Sequence, residues 1–320
     1  MTLLRARDML HVTVCAVTAK PRLVASRRVC RSRLPGRCHA VASPDNLPHA
    51  HSDHVPVLLT TRDVTLTCGT AVRLVLPEDP YAVEALHRLE GDVTADAVWA
   101  ECWPSAFACA DALLCGSLLA DLRQQPVRWV CELGAGVGLA GLAAALTWRT
   151  ASVLLTDREP RALWCALASA QANGLRVDAS GLPPDLPPLP NAAAAAPPDG
   201  PCVSAALLDW DAPLHPSMVG AFDVLLLCDV LYQPGSIALL AALVPQLLSP
   251  NGIILLADTA HRPGKEGLRR QFLDGVAGAA SGGRVMRVQA THALVAHMPA
   301  PTLDVNTGDT HAVELVVLST

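Results

Sequence analysis

One stretch, Trp-Val-Cys-Glu-Leu-Gly-Ala-Gly-Val-Gly-Leu-Ala-Gly at residues 129–141, limits this chain more than any other. An apolar run over 127–133 reads as a buried strand. It passes directly into Gly134, Gly136 and Gly138, and a helical pattern follows over about 138–147. Glycine reaches the positive φ values a tight turn needs and lets a ligand approach the backbone. The new helix points its unpaired N–H groups into the gap. In an open α/β sheet that gap lies at the carboxyl ends of the strands, where ligands bind. The spacing is G-x-G-x-G with an acid, Glu132, before it. A dinucleotide site has G-x-G-x-x-G, and Gly141 stands too late to complete that pattern.

The next strand, Val153–Thr156, ends at Asp157, 21 residues after Gly136. A carboxylate there can accept both hydroxyls of a ribose, and it can equally cap the helix that opens at Pro160. Arg158 beside it keeps a 2′-phosphate cofactor as the alternative. A third strand-like run, 203–208, leads to Asp209 and Trp210, which suit an adenine amino group and ring face or, as readily, a turn acid and an edge tryptophan. A fourth, 222–228, leads to Asp229 and Tyr232 at the same crevice. Asp229 reads both as an acid facing a ligand in that crevice and as a strand-end acid capping a turn.

Helical patterns over 104–122, 160–173, 236–248 and 265–278 alternate with these strands and with one at 252–257. Alternation of this kind predicts a doubly wound, mostly parallel sheet with helices on both faces. Runs at 284–296 and 311–318 predict an antiparallel pair at the end, and 63–76 alternates like a strand. Residues 178–202, rich in proline and alanine, read as a disordered surface insertion.

Composition narrows the function. Hydrophobic residues make up 51% of the 320 and charged residues 17%, ample for a core, and no apolar run approaches the span of a membrane helix. Residues 1–43 hold nine basic residues and one acid, a charge of +8, which leaves −13 on the rest of a chain whose net charge is −5. An acidic body repels phosphates and tolerates a basic protein substrate, so no nucleic-acid partner is expected. The basic, acid-poor segment 1–43 reads as a transit peptide for a chloroplast or mitochondrion; as a plain disordered tail it would leave the chain cytoplasmic. Residues 44–62 read as linker and 63–320 as the folded domain, with 63–123 an N-terminal extension that carries a helix ahead of the glycine turn. The eleven cysteines include no C-x-x-C and several lie in apolar runs, so they read as reduced core residues. Cys102, Cys109 and Cys115 lack a zinc-ligand spacing, and no metal site is expected.

Taken in order, V-W-A-E-C-W-P-S-A at 98–106, E-L-G-A-G-V-G-L-A-G, L-T-D-R-E-P-R-A-L, N-G at 173–174, L-D-W, C-D-V-L-Y and L-L-A-D-T-A-H-R-P at 255–263 resemble the seven-strand, class I lysine methyltransferases with a D-x-x-Y motif. The resemblance covers about 95–275 and is nearest to the branch containing electron transfer flavoprotein β-subunit lysine methyltransferase. It implies seven strands, S-adenosylmethionine as cofactor and methyl transfer to a lysine of a non-histone protein. Trp103 and its loop would flank the cofactor. Glu132, Gly134, Gly136 and Gly138 would line its methionine end, Asp157 would take the ribose, and Asp209 with Trp210 the adenine. Asp229 and Tyr232 would border the acceptor amine. A methyltransferase for a small molecule or nucleic acid, and a non-catalytic binding module, are the alternatives. The chain departs from the family in having Val98-Trp99 where Tyr-Trp is usual, and in its long Pro/Ala insertion.

Overall fold

The computed structural model describes residues 57–91, 97–116, 119–190, 200–260, 264–278, 286–297 and 310–319. The transit peptide expected over 1–43 lies outside them, as does most of the linker.

Five parallel strands build the centre of the sheet. They are β3 (Trp129–Leu133), β4 (Ser152–Asp157), β6 (Cys202–Leu207), β7 (Phe222–Cys228) and β8 (Leu248–Thr259). A three-residue strand, β5 (Arg176–Asp178), adds one edge in parallel. At the other edge β9 (Arg287–His297) and β10 (Thr310–Ser319) pair antiparallel, and β10 is the one that lies against β8. The order is β5-β6-β4-β3-β7-β8-β10-β9. The expected fold class holds, with eight strands in this sheet rather than seven, because β5 extends it by one.

The middle strands are buried on both faces, which is why they read as near-continuous Val/Leu runs. One face packs α2 (Pro104–Leu114), α4 (Leu139–Thr147) and α5 (Pro160–Ala172). The other packs α6 (Pro234–Leu247) and α7 (Lys265–Gly278). Strand order reverses beside β3, with β4 on one side and β7 on the other. The crevice at their carboxyl ends is where this topology places a ligand.

Four expectations need correction. Residues 63–76 are not one strand: β1 (Leu59–Thr65) and β2 (Ala71–Pro77) form a hairpin around Gly69 at φ 81°, so the linker ends before Leu59. Alternation continues through the turn and hides it. The helix expected over 104–122 breaks into α2 and the short α3 (Ala120–Arg123), because the chain leaves the helix at Cys115 and Gly116. Cys115 is in a disulfide with Cys68 of the hairpin turn, so not every cysteine is a reduced core thiol. Residues 178–190 are not disordered. Leu182, Leu186 and Leu189 pack on the core, and Trp164 Nε1–H donates to the Pro187 carbonyl at 2.7 Å. Residues 191–199 lie outside the described residues. Among the described residues no helix is long and apolar enough to cross a membrane, and no group of His, Cys, Asp or Glu is placed to hold a metal.

Candidate active site

A cavity of about 570 Å³ opens at the carboxyl ends of β3, β4, β6 and β7, within the range of small-molecule sites. Nine of the ten residues singled out from the sequence line it: Trp103, Glu132, Gly134, Gly136, Asp157, Asp209, Trp210, Asp229 and Tyr232. Gly138 does not. It is the left-handed N-cap of α4 at φ 80°, and a Cβ there would lie 2.9 Å from Ala166 Cβ. Gly138 serves the packing of α4 on α5, beside the cavity-lining Val137 and Leu139.

The glycine turn is held from the neighbouring strand. Gly136 N–H donates to Asp157 Oδ2 at 2.9 Å, and Glu159 N–H donates to Asp157 Oδ1 at 3.0 Å. Both carboxylate oxygens keep lone pairs for further donors. Burial raises the Asp157 carboxyl above the usual carboxylate range, against the pull of those N–H groups. Glu132 is 2% exposed, and its Oε2 accepts the Gly141 N–H at 2.8 Å. Burial pushes it up to about 8; the Gly141 bond opposes the rise and Asp157 adds to it. At φ 64° Gly134 would hold a side chain only in a strained and tight fit. A Cβ would lie 3.1 Å from Val230 Cγ1 and 3.4 Å from Trp210 Cζ2.

The wall opposite the glycine turn comes from the N-terminal extension. A 3₁₀ turn, Ala97–Ala100, brings the Trp99 carbonyl to 3.3 Å from where a Gly136 Cβ would sit. Trp103 caps α2, and its Nε1–H donates to the Val98 carbonyl at 2.7 Å. His87, from α1 (Pro80–Leu89), also lines the cavity. It is 2% exposed, neither ring nitrogen has a hydrogen-bond partner, and Nε2 stands 3.7 Å from Glu159 Oε2.

Asp229 is the one non-glycine residue with positive φ among the described residues, at 53°. Its carboxylate is engaged by the protein itself. Oδ1 accepts from Lys265 Nζ at 2.6 Å and from Thr259 Oγ1 at 2.9 Å, and Oδ2 accepts the Ser105 N–H at 3.3 Å. Lys265 also pairs with Asp258. Burial acts to raise the Asp229 carboxyl, but Lys265 and these donors hold it below the usual range. Asp258 is pushed up to about 6 by burial, with Lys265 opposing and Asp229 adding to the rise. Tyr232, 38% exposed, stands at the mouth.

Sequence reasoning misses His87, Thr259 and Lys265. His87 shares the inward face of α1 with Val83 and Leu86, a spacing that reads as core. Thr259 closes β8, and a strand's carboxyl end was a usable signal. Lys265 carries no local signal.

Residues 88–179 match the family model described as lysine methyltransferase. Human protein-lysine N-methyltransferase EEF2KMT is 34% identical over 121 residues, which are 38% of this chain and 33% of that protein. The human putative protein N-methyltransferase FAM86B1 is 33% identical over a stretch of the same size and shares. Neither carries the name of the flavoprotein branch. The chain thus spans about a third of the length of these curated relatives. A putative S-adenosylmethionine-dependent methyltransferase from Streptococcus mutans superposes with a TM-score of 0.47 at 13% identity, covering 81% of this chain and 55% of that one. The resemblance read from the motifs therefore holds for residues 88–179, the stretch with the glycine turn and Asp157, which matches the lysine methyltransferase family.

Proposed function

We propose that the chain is an S-adenosylmethionine-dependent methyltransferase acting on a lysine side chain of a non-histone protein. One observation carries the reading: the Gly134–Gly136 turn is braced by Asp157 within a cavity of small-molecule size. The residues present suit that cofactor. Asp157 has lone pairs left for ribose hydroxyls, Asp209 and Trp210 offer an acceptor and a ring face for adenine, and Gly134 and Gly136 bring backbone to the cavity wall. Of Glu132, Asp157, Asp209 and Asp229 in the lining, Glu132 is raised to about 8 by burial and Asp229 is paired with Lys265, so Asp157 and Asp209 are the carboxylates left to meet a ligand, with Arg158 beside Asp157. When bound, the cofactor supplies a methyl group on a positively charged sulfur.

The chain's own part is position and exclusion of water. Trp99 and Trp103 cover the cavity from the N-terminal side, and Tyr232 narrows the mouth through which an acceptor enters. A lysine reacts only as the free amine. Asp229 meets such an amine with its oxygens already accepting from Lys265, Thr259 and Ser105, so it shapes the turn that leads to Tyr232.

The test is transfer of a tritiated methyl group from S-adenosylmethionine into organelle extract by the purified chain, with calorimetry of cofactor binding beside it. Label on a protein band is expected. Label on RNA or small molecules would replace the acceptor, and absence of both heat and label overturns the reading. Delivery to a chloroplast or mitochondrion rests on the composition of residues 1–43, and import of a fluorescent fusion of that segment tests it.

A further inference from the structure

Lys265 is an unusual residue for its place. Of the 24 cationic residues in the chain, two are lysine, Lys20 and Lys265; the rest are arginine. Lys265 opens α7 and is 3% exposed. A cation is disfavoured at a helix N-terminus and disfavoured again by burial. Stability alone does not explain it, since apolar residues of similar volume often serve a buried site as well as an ion pair does. One turn later in α7 the chain uses arginine in the ordinary way: Arg269 pairs with Glu314 of β10 at 2.7 Å.

What Lys265 touches is the strained point of the cleft. Asp229 at φ 53° holds a conformation that side chains rarely adopt, and such strain persists only where surrounding contacts over-determine it. The Asp229 N–H is tied to the Ala257 carbonyl at 3.0 Å, and its carboxylate to Thr259, Ser105 and Lys265. Lys265 supplies the charged member of that set, and Asp258 shares it. Val230 follows at once and walls the Gly134 turn together with Trp210. Tyr232 ends the same segment at the mouth.

We propose that Lys265 is a positioning residue that fixes the left-handed backbone at Asp229 and thereby sets Val230 against the glycine turn and Tyr232 at the acceptor mouth. The inference rests on the reading of this cleft as a cofactor and acceptor site. It assigns Lys265 no contact with either molecule; its effect passes through Asp229.

The experiment compares the parent chain with Lys265→Met and with the double variant Lys265→Met/Asp258→Asn. The double variant removes one cation and one anion together, so it keeps the charge balance of the buried group and guards against simple unfolding. Its melting temperature is expected within a few degrees of the parent's. Its affinity for S-adenosylmethionine is expected to weaken about tenfold and its turnover to fall about 100-fold. Its crystal structure is expected to show Asp229 outside the left-handed region and Val230 withdrawn from Gly134. Turnover that returns with stability, or Asp229 unmoved at positive φ, overturns the proposal and leaves Lys265 as a counter-charge only. A parent chain that gives no heat with S-adenosylmethionine overturns the functional reading instead; the Asp229 backbone in the double variant still decides the case of Lys265.

Discussion

Glu132 Oε2 accepts the backbone N–H of Gly141 at 2.8 Å, so the acid at the end of β3 fastens the first turn of the helix that follows it. Burial raises this carboxyl to about 8 from an ordinary glutamate value of 4.5. A raised carboxyl stabilises the fold in its protonated form. Between those two pH values the unfolded chain releases a proton that the folded chain retains, so stability falls as pH rises through the window. Glu132→Gln keeps an acceptor for Gly141 and removes the titration. Its unfolding midpoint should drop less than the parent's between about pH 5 and pH 8. Parallel curves in a thermal-melt series would take Glu132 out of this role.

Asp157 has a double task, bracing the Gly136 N–H and offering acceptors to a bound sugar. Asp157→Ala loses both, and charged hydrogen bonds contribute about 1.5–3 kcal/mol each. Calorimetry should find S-adenosylmethionine bound at least about 100-fold more weakly, and Asp157→Asn should lie between that variant and the parent. Equal affinities in all three would move the sugar elsewhere.

Gly138 and Gly174 both have positive φ, at 80° and 71°, yet they meet different surroundings. A Cβ on Gly138 would lie 2.9 Å from Ala166 Cβ and 3.2 Å from Leu155 Cδ1, whereas one on Gly174 would meet open space. Gly174→Ala bears backbone strain alone, about 1 kcal/mol. Gly138→Ala adds overpacking and should cost about 2–5 kcal/mol in urea titration. Two variants of equal stability would show that α4 and α5 are free to separate.

The motifs around the crevice are legible in sequence because local geometry dictates them. A strand that must turn sharply needs Gly134 and Gly136, and Asp157 stands at the matching end of the adjacent parallel strand. What escapes is set by distant partners. The leucines at 182, 186 and 189 sit in a proline-rich run that reads as unstructured until Trp164 is beside it to bind the Pro187 carbonyl. Lys265 reads as a surface helix start until folding brings it to Asp229, 36 residues earlier. The turn at Cys68–Gly69 is concealed by alternation that is in phase on both sides, Val64 and Leu66 before it and Val72 and Leu74 after it all being buried.

The Cys68–Cys115 bridge closes a loop across a sequence separation of 47 residues and joins the hairpin to the end of α2. Beside it the Thr67 N–H donates to Asp111 Oδ1 at 2.7 Å. Restricting the unfolded chain in this way stabilises by about 2–4 kcal/mol. A reductant, or Cys68→Ser, should lower the unfolding free energy by that amount. Non-reducing peptide mapping should recover the linked pair. An unchanged melting curve after complete reduction would show that the hairpin docks without it.

The strand between β8 and β9 is the one that follows both in the chain. During synthesis β8 and β9 leave the ribosome before the partner each of them needs. Until Thr310–Ser319 emerges, β8 offers one unpaired edge rich in Ile and Leu, the kind of edge on which nascent chains stick to one another. Loss of that final segment would therefore be felt first as poor yield and chaperone retention, before any assay of the finished protein is run.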